Sequence, residues 1–335
     1  MAQHRWTVRP PRSNWGDFGP DDRLGTLNYL QPEQRLAAVQ EIREGRSFSL
    51  SLPLDVPRAP VLNPRRKGPS IRPAEKNGVP FYNYPLARDV PGATDVISDD
   101  RVTLSPQYST QWDALGHVGS LFDPHGTGQP VPTGYNGFRI SDPPADPADF
   151  RGTRDLSIAP MATHGIQGRG VLVDLRRHFG DAFRLVSHAE LMDVMRKDGV
   201  TLRPGDVLCL HTGLADLALT LPDDQQERLR DSCCVLDGND AELLAWIADS
   251  RIAAIAADNH AVERRNHTLP GGPGPLLPLH EQCLFKLGLP LGELWYLTEL
   301  AGWLHANGRN AFFLTAAPLH LPGLVGAPVN PIATV

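Results

Sequence analysis

The chain has 335 residues, 41% hydrophobic and 21% charged, with a formal net charge of −6. That length supports a sizeable core and is read as a single domain over 1–335. The acidic balance, with no basic run beyond Arg65-Arg66-Lys67, argues against a nucleic-acid partner, and no apolar run approaches the roughly 20 residues that span a bilayer.

Along the chain, residues 1–13 are polar and are expected to form an extended N-terminal arm. Without the apolar core of a signal peptide, this start makes a cytoplasmic location the expectation. Pro32 through Gly45 reads as a helix, with Pro in the first turn, apolar Leu36, Val39 and Ile42, and Gly45 as the stop. Phe48–Leu52 is the first strand candidate. Residues 53–98 and 123–149 are rich in Pro and Gly and poor in periodicity. Two such loops suggest walls of a site or subunit contacts, in a homodimer or homotetramer. Gly165-Ile-Gln-Gly-Arg-Gly170 precedes a strand instead of following one. It is therefore a turn feeding Val171–Leu175, not a phosphate loop.

Ser187-His-Ala-Glu190 predicts a capping box ahead of Leu191, Val194 and Met195, with Gly199 as the stop. Val207–Leu210, Ile252–Ala257 and Ala311–Thr315 are further strands. Asp240–Ser250 and Leu279–Gly288 are helices, and Glu293–Asn307 is helical in part, with Glu293 at its start. The four cysteines, Cys209, Cys233, Cys234 and Cys283, form no C-x-x-C and are read as buried thiols. The fold class is α/β with a β-rich core, flanking helices and long loops.

Chemistry concentrates in Gln107-Tyr-Ser-Thr-Gln-Trp-Asp-Ala-Leu-Gly-His117. In a straight strand Gln107 and Asp113 would lie about 20 Å apart, so the segment must bend if its polar groups converge. Asp113 and His117 meet more easily, on one face of a helical turn. A divalent cation takes anionic oxygen and neutral imidazole, and Gln111 could add a weaker amide oxygen. Hydrolysis also needs a proton carrier. Near the ends of other strands, His211 could line a pocket, and Asp258-Asn259-His260 with Glu263 is open to either a turn or a functional role. No G-x-S-x-G elbow supports a serine triad.

The segment resembles the signature of the cyclase-like metal hydrolases, the family of bacterial kynurenine formamidase, isatin hydrolase and trans-dienelactone hydrolase. In the family pattern H-x-G-T-H-x-D-x-P-x-H, the leading histidines fall on Gln107 and Gln111, the aspartate on Asp113 and the last histidine on His117. The amide-substituted form is most similar to the lactone-hydrolysing branch. Gly165–Leu175, Asp206–Gly213 and Leu279–Glu293 resemble three further family segments, so the similarity spans roughly 14–320.

The resemblance implies the cyclase-like (swivelling β/β/α type) fold and later metal ligands at His280 and Glu293. It implies that His117 is either a ligand or the acid/base residue. The expected metal set is therefore Gln111, Asp113, His117, His280 and Glu293, with His117 also the candidate catalytic group. Gln107, Trp112, Tyr135, Asn136 and His211 are the expected substrate contacts. With two histidines replaced by amides, one divalent ion per chain is expected, Zn²⁺ or Mn²⁺. The implied reaction is hydrolysis of a small-molecule lactone or lactam. An aryl-formamidase and a metal-free relative that binds a small carboxylate are the alternatives.

Overall fold

The computed structural model describes residues 5–269 and 272–335. Among them, one nine-stranded mixed sheet organises the molecule. Its strands are β1 (Ser47–Ser49), β2 (Gln111–Asp113), β3 (Gln167–Asp174), β4 (Val207–His211), β5 (Ala254–Ala257), β6 (Leu291–Glu293), β7 (Ala311–Thr315), β8 (Gly326–Pro328) and β9 (Ile332–Thr334). They lie in the order β1-β9-β7-β3-β4-β5-β6-β2-β8. The run β3-β4-β5-β6 is parallel, and both flanks are antiparallel.

The parallel strands carry no polar alternation because both their faces are covered. Val171, Val173, Leu208, Leu210 and Ile255 feed one apolar layer, and their chain neighbours Leu172, Val207, Cys209 and Ala254 feed the other. On the first face lie the helices His188–Lys197 and Ala241–Ser250, through Leu191, Val194, Leu243 and Ile247. On the second lies Thr298–Ala306, through Leu300 and Leu304. The capping box at Ser187 forms as expected: Glu190 N–H donates to Ser187 Oγ, and Ser187 N–H donates to the Glu190 carboxylate at 2.9 Å. All four cysteines are buried free thiols. Among the described residues no helix is long and apolar enough to cross a membrane.

Three expectations change. The segment 53–98 is not featureless: paired short strands (Ser70–Pro73 with Asp100–Thr103, Glu75–Lys76 with Val79–Pro80, Tyr84–Pro85 with Val96–Ile97) make an exposed ribbon. The helix expected over 279–288 is a short turn, Pro278–His280, running into a π-helix, Glu281–Leu287, that ends at Gly288 in the left-handed region. Glu293 is the last residue of β6, not a helix start, and the helix begins at Thr298. The reason is lateral: Leu291, Gly292 and Glu293 pair with Asp113, Trp112 and Gln111.

Candidate metal centre

The register of β2 against β6 builds the floor of the site. Gln111 sits directly opposite Glu293, and Asp113 shares the face of Gln111 because side chains alternate along a strand. The approach of β6 requires glycine at 292, where a Cβ would lie 2.8 Å from the Trp295 indole nitrogen and 3.0 Å from Ala256 Cβ. His280 arrives from the turn before the π-helix. Ligand atoms of Asp113, His280 and Glu293 all fall within 4.8 Å of one another, and all three residues are buried. The bend demanded by the sequence is present: 107–110 form turns ahead of β2, and His117 N–H bonds back to Ala114 O at 2.9 Å.

The polar atoms here are unevenly paired. His280 Nε2 is 3.5 Å from Glu293 Oε1, while its Nδ1 is 2.8 Å from Glu263 Oε1. Glu263 also accepts the backbone N–H groups of Leu279 (3.0 Å) and His280 (2.7 Å). A carboxylate with these donors keeps a proton on Nδ1 and aims Nε2 at the cluster, so that a cation displacing the Nε2 proton would meet its lone pair. Gln111 Nε2 donates to Glu293 Oε2 at 2.7 Å, and Arg66 Nη1 stands 3.6 Å from the same oxygen. By contrast, both carboxylate oxygens of Asp113, and Gln111 Oε1, are buried without a partner. Buried oxygens are nearly always hydrogen-bonded, so three orphans in one cluster mark a place built for a further group. Two carboxylates and one imidazole suit a divalent cation in charge and in donor type.

Electrostatics agree with that donor set. Burial, reinforced by the Glu293 charge, pushes the Asp113 carboxyl well above its ordinary value. Burial would also raise Glu293, but its bond to His280 and the nearby positive charges hold it far below. Burial alone would lower His280, yet Glu263 and Glu293 together raise it to about 10. Without a cation, then, the proton on His280 does the neutralising; a ligand cation displaces such protons on binding.

His117 lies at the edge of this group. Its Nε2 is 3.8 Å from Asp113 Oδ1, its side chain is 22% exposed, and it lines a cleft of about 710 Å³ that opens from the floor. Burial lowers its pKa to about 4, so at neutral pH it is an unprotonated imidazole able to accept a proton.

The remaining expected contacts are placed elsewhere. Trp112, on the opposite face of β2, donates to Ala316 O at 2.7 Å and packs edge-on to Trp295 with centroids 5.0 Å apart, inside the core. Tyr135 donates to Asp22 Oδ2 (3.0 Å), and Asn136 bonds Gly16 N and Gly19 O, both at 3.0 Å. These two fasten the N-terminal segment. His211 is held at both nitrogens, by Asp174 (2.8 Å) and Thr298 (3.2 Å). The Gln107 side chain packs against Gly326, and the Gln107 backbone carbonyl accepts from Arg66 Nη1 at 2.8 Å. None of these five residues lines the cleft.

In the sequence Arg66 reads only as part of a basic run, and Glu263 and His260 only as residues near a strand end. His260 lines the cleft, its Nε2 3.5 Å from Arg66 Nη1. A signal for this loop exists only in the backbone: Ala261, Val262 and, next to Glu293, Leu294 all have positive φ. Such conformations cost on the order of 1–3 kcal/mol each and persist where surrounding structure imposes them. Asn259 imposes them here. Its side chain bonds Cys234 O and Val262 N, and its carbonyl receives Leu294 N.

Fold and site thus define an α/β protein with a buried carboxylate–imidazole centre beneath an open cleft. The Cyclase family model matches residues 48–264. A crystal structure described as a novel cyclase is 32% identical, covering 98% of this chain and 100% of its own, with a TM-score of 0.76. The chain belongs to the cyclase family. Isatin hydrolase A from Labrenzia aggregata, bound to benzyl benzoate, is similar in fold at 15% identity and a TM-score of 0.55, covering 87% of this chain and 93% of its own. Isatin hydrolase A from Ralstonia solanacearum is similar at 13% identity and 0.53, covering 86% and 91%. No curated protein matches the sequence.

Proposed function

We propose that this chain is a metal-dependent hydrolase that opens a small cyclic ester or amide, using one divalent cation, Zn²⁺ or Mn²⁺. The observation that carries the reading is the cluster of Asp113, His280 and Glu293, in which both Asp113 oxygens and the adjacent Gln111 Oε1 are buried without a partner. The likeness in fold to proteins named isatin hydrolases supports the substrate class. When bound, the cation supplies Lewis acidity, which acidifies water and polarises a carbonyl.

The chain's own residues would do the rest. Asp113, Glu293 and His280 Nε2 hold the cation, and the two carboxylates balance its charge. Glu263 fixes the His280 ring. Gln111 and Arg66 hold Glu293 Oε2 from the side, which leaves Oε1 turned to His280. His117, neutral and at the cleft edge, takes the proton from the attacking water and returns it to the leaving oxygen or nitrogen. The test is elemental analysis of freshly purified protein, followed by turnover of a lactone and lactam panel with and without chelator. About one ion per chain and chelator-sensitive ring opening are expected. Full ring-opening activity in metal-free protein would refute the reading.

A further inference from the structure

We infer that the substrate carries a carboxylate of its own, apart from the bond that is cut, and that arginines at the cleft mouth hold it; this rests on the hydrolase reading above. The chain is acidic overall, at −6, yet the cleft above the metal centre is lined by five arginines, Arg65, Arg66, Arg230, Arg264 and Arg265, against two carboxylates, Glu263 and Glu293. Both carboxylates lie at the floor and are already engaged, Glu263 by His280 and Glu293 by Gln111. The positive charge therefore faces the space where a ligand enters. A cleft lined by one sign of charge concentrates ligands of the opposite sign.

The arginines divide by what they already hold. Arg66 reaches down to Gln107 O and Glu293. Arg230 is bound to Val61 O and to Glu227 at 2.9 Å. Arg264 pairs with Asp231 at 3.1 Å, and its guanidinium lies 4.4 Å from the Phe183 ring centroid. Arg65 and Arg265 are exposed, and among the described residues neither guanidinium has a partner. Arginine presents paired N–H groups that match a carboxylate in two parallel bonds. The same cleft is also lined by the apolar side chains Phe183, Leu214, Leu229 and Leu277, and by His280 and Glu293 of the proposed metal centre. It thus combines exposed guanidinium donors, apolar wall and metal centre in one space. A compact ring that carries a carboxylate apart from its scissile carbonyl fits that combination.

The probes are benzoate, its uncharged counterpart benzamide, and the lactone pair phthalide and 5-carboxyphthalide, which differ by one carboxylate. Binding of benzoate and benzamide is measured by calorimetry on metal-loaded and chelator-stripped protein, so that attachment to the cation is separated from attachment to the rim. The comparison is wild type against Arg65→Gln/Arg265→Gln, whose two sites are exposed. In both metal states benzoate should bind better than benzamide. The double variant should weaken benzoate by about tenfold or more, the size of a lost charge-assisted hydrogen bond, and leave benzamide unchanged. Arg65→Lys/Arg265→Lys should restore part of the loss, and 0.5 M salt should mimic it. If the panel is hydrolysed, KM for 5-carboxyphthalide should rise in the glutamine variant while phthalide kinetics hold.

Arginine-dependent benzoate binding without any lactone turnover would sustain the rim and sink the hydrolase reading. Turnover of both lactones with equal KM, or benzoate binding that ignores the arginines or vanishes once metal is stripped, would overturn the rim. So would the absence of any benzoate binding.

Discussion

Replacing Asp113 by asparagine should move stability in opposite directions with and without metal. In metal-free protein both Asp113 oxygens are buried without partners, and the Glu293 charge opposes ionisation of the group. Leaving a buried polar group unpartnered costs about 1–3 kcal/mol, and more when it is charged. Asparagine keeps the shape and cannot ionise, so it avoids the cost that burial and the Glu293 charge impose on this carboxyl. Metal-free Asp113→Asn should therefore match or exceed metal-free wild type, by up to about 3 kcal/mol. At roughly 2–4 °C per kcal/mol that is a rise of up to about 6–12 °C, read in a thermal melt under chelator. Adding the cation at 100 times the wild-type Kd should stabilise wild type by about 2.7 kcal/mol. If the variant has lost about 100-fold in affinity, the same addition contributes only about 0.4 kcal/mol. The order of melting should thus invert between chelator and metal. A metal-free variant that melts several degrees below wild type, with its metal-induced shift intact, would refute the assignment of Asp113 as a ligand held ready at a cost in stability.

Glu263→Gln should lower metal affinity about 10- to 100-fold by releasing the His280 ring, measured by competition with a chelator of known affinity; wild-type affinity would remove Glu263 from the site. His117→Ala should keep its metal content and lose about 10²- to 10⁴-fold in kcat. Loss of the ion instead would make His117 a ligand. His211 is a matter of stability. Burial would lower its pKa, but the hydrogen bond to Asp174 and the Asp258 charge raise it overall. A raised imidazole contributes stability that is whole below its unfolded value near 6.5 and fades as pH climbs through the folded value. The gap in unfolding free energy between wild type and His211→Gln should shrink over that range in denaturant titrations, and a gap independent of pH would contradict the Asp174–His211 pair.

What could be read beforehand was whatever depends on local pattern. The capping box at Ser187 and the strands expected from 171, 207, 252 and 311 follow from propensity and periodicity, and the structure bears them out, the third starting two residues later, at Ala254. Asp113 and His117 are legible as neighbours from their spacing, but a turn closed by His117 N–H to Ala114 O, not a helix, brings them within 3.8 Å. Glu293 was placed on the wrong element because a Gly-Glu step looks like a helix start; only its pairing with Gln111, 182 residues away, makes it a strand end. Trp112 was misplaced by one step of alternation, since the residue between two site residues on a strand must face away from them. The role of Arg66 has no sequence signal, and His260 and Glu263 stand out only as a strand end open to a turn or a functional role, for a different reason. Their loops are held by contacts with Gln107, Asn259 and His280, which neither periodicity nor spacing encodes.

Glutamine at 111, where the family pattern that the segment resembles has histidine, then has a definite consequence. The register fixes residue 111 opposite Glu293, whatever the side chain. An imidazole there could offer a lone pair to a cation. The glutamine instead turns its N–H₂ to Glu293 Oε2, which takes one oxygen of a ligand carboxylate out of use as a bridge. Arg66, a fixed positive charge 3.6 Å from that same oxygen, opposes a second cation on that side. A donor and a guanidinium thus stand where a binuclear centre would need a bridging oxygen and an anionic or imidazole ligand. This supports the proposed single cation, with Asp113, His280 and Glu293 Oε1 as the group of described residues that would hold it.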